Sequence, residues 1–169
     1  MSEQIELTDP VDHSVGGIYG HLFRRGFHIG MSILPFLYYE YGDAISDAFS
    51  MTRLQFVSVM VMALVVGEAI RLKLGITIFG QRDYESKQVS ALAWGAFAIG
   101  ITFLVLSDYP ELVWPLMISL SLGDPFIGEV RRKGYESRTV FIIGSIFISG
   151  IWLASGYLID TPYLLAILM

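Results

Sequence analysis

Long apolar stretches recur along the chain and are separated by short polar segments. Residues 88–107 and 139–159 contain no charged side chain, and each matches the ~20 apolar residues that cross a bilayer as a helix. Residues 51–70 form a third such stretch, with charged side chains only near its ends, at Arg53 and Glu68. The three stretches predict membrane-spanning helices.

Two further apolar stretches, residues 28–41 and 112–122, are shorter than a bilayer requires. Each must include flanking residues or stay partly buried between neighbouring helices. The whole pattern therefore predicts an all-α polytopic membrane protein with about five membrane segments. We expect residues 1–169 to form a single integral membrane domain, with residues 1–17 as a polar tail.

The composition agrees with this prediction. Hydrophobic residues make up 54% of the chain and aromatic residues 14%, and the mean hydropathy is +0.59. Because the chain has no cysteine, disulfides and thiol catalysis are excluded. With only three histidines in addition, a dedicated transition-metal site is not expected. Residues 2–12 are acidic and polar, so a cleavable signal sequence is not expected.

The basic residues predict the orientation of the chain. All but one of the eleven Lys and Arg residues lie before the first predicted span, between the second and third, or between the fourth and fifth. Such an excess marks the cytoplasmic face. Arg53 is the exception. It lies on the opposite face, where the other charged residues of the loops are acidic. The sequence thus predicts a multi-pass protein of the cell membrane with a cytoplasmic N-terminus and an external C-terminus.

An aspartate and a proline follow the fourth apolar stretch. A carboxylate at membrane depth costs about 2.5 to 3.5 kcal/mol, so Asp124 is a candidate functional residue. Aspartate followed by proline is typical of a helix N-cap and first helical residue. The pair Asp124–Pro125 therefore predicts a broken or short fourth segment, with a new helix beginning at this point. Broken helices occur at membrane depth where they line a cavity.

Carboxylates accompany the cations of the predicted cytoplasmic loops. Glu68 and Arg71 are three residues apart and share a helix face. Carboxylates bind Mg²⁺, and arginine or lysine neutralises phosphate oxygens, so the combination is typical of a magnesium-bound polyphosphate site. A purely structural network of ion pairs would have the same pattern. The other members are Glu85, Lys87, Asp124, Glu129, Arg131, Arg132, Lys133 and Arg138.

His28 follows Arg24 by four residues, so both lie on one face of the first helix. A lone histidine near a membrane surface is more often an interfacial side chain than a catalyst. Glycines within the apolar stretches, Gly100 and Gly144 among them, most simply allow close helix contact.

The order of these motifs resembles the CTP-dependent polyprenol kinase family, which includes dolichol kinase, phytol kinase and CTP-dependent diacylglycerol kinase. The resemblance extends over residues 21–139. It rests on Arg24–Arg25 with His28, on Glu68 with Arg71, on Glu85 with Lys87 and Gly95, and on Gly123–Asp124–Pro125 followed by Arg131–Arg132–Lys133–Gly134.

The resemblance implies a lipid kinase at the cytoplasmic face, which transfers the γ-phosphate of CTP to the hydroxyl of a membrane isoprenoid alcohol such as dolichol or a polyprenol. The partners are then CTP, Mg²⁺, the lipid alcohol and the bilayer, with no nucleic acid; the oligomeric state stays open. Asp124 would bind magnesium, with Glu129 or Glu85 as a second carboxylate. His28, Glu68 or Asp124 would orient or deprotonate the lipid hydroxyl. The nucleotide-binding residues would be Arg71, Glu85, Lys87, Arg131, Arg132, Lys133 and Arg138.

Two alternatives remain open at this point. A cytidylyltransferase would join CTP to a lipid phosphate and release pyrophosphate, and it would also need magnesium and CTP beside the bilayer. A small transporter or an assembly subunit would instead carry intramembrane charges along an ion path. The latter predicts charges spread through the depth of the helix bundle, whereas those of this chain collect toward one face.

Overall fold

The computed structural model describes residues 14–159, which form six α-helices joined by short turns. No β-strand is present in this part of the chain, where a single antiparallel bridge joins Ser14 and Arg82. The predicted all-α fold is confirmed. The predicted tail and both chain ends fall largely outside the described residues. The helices are α1 (Gly17–Gly30), α2 (Leu34–Asp47), α3 (Arg53–Leu74), α4 (Ala91–Leu106), α5 (Pro110–Arg132) and α6 (Ser137–Ile159), with 3₁₀ turns at Met31–Ile33 and Asp83–Lys87.

The predicted segment over residues 28–41 is divided between two helices. α1 ends at Gly30, a 3₁₀ turn follows, and α2 begins at Leu34 with a proline, Pro35, in its first turn. Proline lacks the N–H that would continue a helix from the preceding turn, but it is well suited to a helix start. Because two of the three residues of the turn, Met31 and Ile33, are also apolar, the apolar pattern alone did not reveal the boundary.

The predicted break at Asp124 is wrong. α5 runs without interruption from Pro110 to Arg132 and includes both Pro115 and Pro125. Each proline removes one backbone hydrogen bond from a helix interior. α5 packs against α1, α2, α4 and α6, and this packing on several sides holds the helix together across its prolines. Asp124 is therefore a residue within a continuous helix and not an N-cap.

Contacts from α1 gather the predicted basic loops at one end of the bundle. Arg24 pairs with Glu85 in the turn before α4, at 3.2 Å. The next residue, Arg25, pairs with Glu129 near the end of α5. We call this end, which carries residues 24–25, 71–88 and 129–138, the basic end. Its composition agrees with the charge asymmetry along the sequence.

The opposite end carries the one basic residue that departs from this asymmetry. Arg53 pairs with Asp43 at 2.8 Å, and its guanidinium lies 5.5 Å from the ring centroid of Tyr38. Nearby in the sequence, the Tyr39 hydroxyl donates a hydrogen bond to the Ser107 carbonyl, which ties α2 to the end of α4. The positive charge of Arg53 is thus matched by a neighbouring carboxylate.

The core lies where the turn after α1 meets α4 and α5. Its buried side chains include Met31, Phe103 and Met117. α3 and α4 approach closely at Gly100, where a side chain would overlap Val61. This contact confirms the interpretation of that glycine as a site of close helix packing.

Large apolar side chains cover much of the outside of the bundle. Among the helices of residues 14–159, α6 is the one whose length and apolar composition suffice to cross a membrane, and only 22% of its apolar window is buried. Phe141 and Ile146 project outward from it. A core helix of a soluble protein would bury such residues. The prediction of about five membrane segments stays a prediction.

Candidate functional site

A buried carboxylate organises the turn between α3 and α4. The Glu85 residue is only 2% exposed. Besides its pair with Arg24, it accepts hydrogen bonds from the backbone N–H of Arg82 at 3.0 Å and of Ala91 at 3.1 Å. Burying a carboxylate is costly unless it is paired and hydrogen-bonded. These contacts meet that condition and fix the turn against α1 and α4.

Arg71, which is 3% exposed, uses all its guanidinium donors within the protein. It binds both carboxylate oxygens of Glu68 at 2.8 Å, as the i, i+3 spacing predicted. Its other donors reach the carbonyls of Ile76 at 2.8 Å, Glu85 at 2.7 Å and Gln88 at 2.8 Å. An arginine has five N–H donors, so in this arrangement Arg71 has none left for a phosphate. Its observed role is to hold the turn.

Glu129 ties α1 to α5. It accepts hydrogen bonds from Arg132 at 2.6 and 3.1 Å and from Arg25 of α1. These two guanidinium groups, Arg132 first and then Arg25, lower the pKa of the Glu129 carboxyl to about 2. The glutamate therefore stays ionised at neutral pH and is committed to a structural pair.

His28 of α1 and Asp124 of α5 lie within electrostatic range of each other. His28 is 7% exposed, and its Nε2 atom is buried without a hydrogen-bond partner among the described residues. A side-chain carbon at Gly95 would lie 3.7 Å from Cε1 of His28, so the imidazole packs on the backbone of α4. Asp124 is exposed and close enough for its charge to act on His28. A buried imidazole beside a carboxylate is a suitable proton acceptor.

Four of the predicted cations are exposed and form no ion pair with any of residues 14–159. They contrast with Arg24, Arg25 and Arg71, which are paired. The exposed cations can therefore approach an anionic ligand without breaking a described contact. They are Lys87, Arg131, Lys133 and Arg138.

The predicted magnesium ligands are not gathered into one cluster. No group of three or more His, Asp or Glu side chains within residues 14–159 is placed to share a metal. Glu85 and Glu129 are each held by arginines, and Asp124 offers one exposed carboxylate. Magnesium is commonly held by one or two carboxylates together with substrate phosphates and water. Among the predicted ligands, Asp124 is the one whose carboxylate is not held by an arginine.

A groove between α5 and α6 was not foreseen from the sequence. It has a volume of about 900 Å³, opens at the basic end, and is lined by Ile127, Phe141 and Ile148 with Arg131 among them. Gly144 brings the helices together along it, since a side-chain carbon there would lie 3.1 Å from Ile127. A run of small residues on α6 was the only signal in the sequence, and small residues indicate close packing more often than a groove.

Comparison with known protein families, with curated proteins and with solved structures finds no match to this chain.

Proposed function

We propose that this chain is a polytopic membrane enzyme that transfers the γ-phosphate of CTP, with Mg²⁺, to the hydroxyl of a membrane isoprenoid alcohol. The observation that carries the proposal is Nε2 of His28, which is buried without a hydrogen-bond partner among residues 14–159, with the charge of Asp124 in electrostatic range. Exposed cations that could neutralise phosphate charge lie at the basic end.

The membrane part of the proposal is supported by the apolar exterior. α6 exposes most of its apolar window, and α3 exposes Val59, Met62 and Val66 along its length. Contiguous apolar surface of this kind marks a membrane or interaction surface. The ion pairs lie at the two ends of the bundle, where lipid headgroups would meet them.

Phosphoryl transfer requires mainly positioning of the reactants and neutralisation of charge. In the proposed reaction, the lipid hydroxyl oxygen attacks the γ-phosphorus, the bond between that phosphorus and the β,γ-bridging oxygen breaks, and CDP leaves. The hydroxyl proton passes to Nε2 of His28, which must first become accessible to the substrate because it is buried. Asp124 would hold magnesium, which would neutralise phosphate charge when bound. Lys87 and Lys133 contact the phosphates.

The remaining predicted site residues are assigned to support. Arg71 and Glu68 hold the turn before α4, and Glu85 fixes that turn to α1. Glu129 sets α1 against α5. Through these contacts, the network positions His28 and Asp124 without contacting the reacting atoms. The transporter alternative is less well supported. It requires charged residues through the depth of the bundle, whereas the ion pairs lie at its two ends.

The reaction is tested with purified protein in detergent. If the proposal is right, γ-labelled CTP transfers its label to a polyprenol, and CDP accumulates. A cytidylyltransferase would instead place the α-phosphate label in a CDP-lipid and release pyrophosphate. Parallel assays with both labels, offering polyprenol, diacylglycerol and phosphatidate, distinguish the two. Label only in a CDP-lipid, or no consumption of CTP with any lipid, would overturn the kinase.

A further inference from the structure

Two consecutive arginines at the end of α5 have different surroundings. Arg132 pairs with Glu129, on the side of α5 that meets α1. Arg131 lines the groove between α5 and α6. Successive residues of a helix lie about 100° apart around its axis, so these neighbours serve different surfaces. The basic cluster is therefore not a single phosphate clamp.

The groove has the form of a site for an amphiphile. Its walls are apolar over Ile127, Val140, Phe141 and Ile148, and its volume of about 900 Å³ lies in the usual range for ligand sites. Most of its polar lining lies at the basic end, at Arg131 together with residues 135 and 137, and Ser145 lines it further along. An occupant would accordingly have a polar head at this end and a hydrocarbon chain along the helices.

The charge at the basic end of the groove indicates the type of head group. No carboxylate lines the groove, and Arg131 forms no ion pair with any described residue. Lys133 and Glu136 are exposed in the turn that joins the helices, and Arg138 is exposed in the first turn of α6, so the charge there is positive on balance. A guanidinium binds phosphate oxygens in a bidentate manner. An anionic phosphate is therefore the complementary head.

The surface next to the groove indicates whether its occupant is a free phosphate compound or a lipid. The outer residues of α6 beside the groove, Phe141 and Ile142, are exposed and apolar. A free phosphate compound would leave the apolar walls of the groove uncovered, whereas a lipid would cover them. We propose that the α5–α6 groove binds a membrane lipid monophosphate, with its hydrocarbon chain along the groove and its phosphate on Arg131. The proposal rests on the proposed membrane function and assigns the lipid phosphate, the kinase product, to this groove.

The test uses the full chain in phosphatidylcholine nanodiscs and a phosphatidic acid that carries a photoactivatable diazirine in its acyl chain. After irradiation, labelled peptides are mapped by mass spectrometry. We expect the label within residues 127–148. Arg131→Gln should reduce it about tenfold, because a charge-assisted phosphate contact is lost. Ser145→Phe should reduce it by filling the groove, which Ser145 lines.

Matched controls separate the groove from the general surface. Ala154→Phe places the same ring on an exposed position of α6 outside the groove, and Lys73→Gln removes an exposed cation from the end of α3. In both variants, the groove should be labelled to the same extent as in the unmodified chain. A diazirine phosphatidylcholine with the same chains should label the groove weakly, and excess glycerol 3-phosphate should not compete.

Label elsewhere in the chain, equal label from phosphatidylcholine, or unchanged label in Arg131→Gln would overturn the proposal. Should Ser145→Phe fail to fold, Arg131→Gln decides, since its side chain is exposed. The outcomes also separate this inference from the proposed function. A labelled groove without CTP turnover would leave the groove proposal standing and reject the kinase. CTP turnover with label outside the groove would leave the kinase standing and reject the groove proposal.

Discussion

The carboxylate of Glu129 in α5 contacts the guanidinium of Arg25 in α1, across 104 positions of sequence. This pair joins two helices near the basic end. His28 follows Arg25 by three residues in α1, and Asp124 precedes Glu129 by five residues in α5. Because the two helices are joined in this register, Asp124 lies within electrostatic range of His28.

Asp124→Asn should fold normally and lose about 100-fold in kcat, since it removes the charge that the proposal places on magnesium. Asp124 is exposed within α5, so an amide of the same size fits there. The measurement is CTP-dependent phosphorylation of a polyprenol across a magnesium titration. Asp47→Asn, an exposed carboxylate at the end of α2, is the control. Turnover near the unmodified rate at every magnesium concentration would exclude Asp124 as a metal ligand.

His28→Gln should lower kcat about 100-fold, because a glutamine cannot accept the hydroxyl proton. The variant should also lose the acidic limb of the pH–rate profile, while KM for CTP changes little. His21→Gln, in the same helix, is the control. A variant that keeps both the rate and the pH profile would show that His28 is a packing residue.

Arg71→Met should destabilise the protein by about 3 kcal/mol, because it leaves Glu68 without its partner in a mostly buried setting. It also leaves three backbone carbonyls without their donor. Unfolding in mixed detergent micelles measures the change. Lys73→Gln, exposed two residues further on, should change stability by less than about 0.5 kcal/mol. Equal stability of the two variants would contradict the assigned role of Arg71.

The contribution of Glu129 to stability should depend on pH in the acid range. Its pKa is lowered from 4.5 to about 2 in the folded protein, chiefly by Arg132 and then by Arg25. A carboxyl with a lowered folded-state pKa stabilises the protein above its unfolded value and loses this contribution as pH falls toward the folded value. The stability difference between the unmodified chain and Glu129→Gln should therefore be largest above pH 4.5 and shrink toward pH 2. A difference that is the same at pH 6 and pH 3 would contradict the pairing.

The basic end should face the cytoplasm. Because the chain has no cysteine, single substitutions can be labelled without background. In intact cells, an impermeant maleimide should label the exposed positions Asp47→Cys and Asp108→Cys but not Lys73→Cys or Lys133→Cys. Permeabilised cells should allow labelling of all four. The reverse pattern would place the CTP site outside and reject the proposed function.

Local patterns in the sequence were sufficient for the helical class and for several elements. The uncharged stretches correspond to α4 and α6, and the stretch from residue 51 corresponds to α3. The pairing of Glu68 with Arg71 followed from their spacing. Both kinds of feature depend on neighbours within a few residues, so the sequence determines them directly.

Local rules failed where packing outweighed them. The pair Asp124–Pro125 has the composition of a helix start, yet α5 continues through it. The preference of a single proline amounts to a few kcal/mol, and contacts of α5 with several neighbouring helices oppose it. A lone sequence does not show how many helices surround a given turn.

The site itself was decided by tertiary structure. The sequence nominated Arg24, Arg25, Glu85 and Glu129 as loop charges, but only the fold made them two ion pairs on α1. The fold likewise places Arg131 in the α5–α6 groove and Arg132 against Glu129. Contacts between distant segments depend on which helix faces meet and in what register. That choice is made by the combined burial of many side chains, and no short segment specifies it.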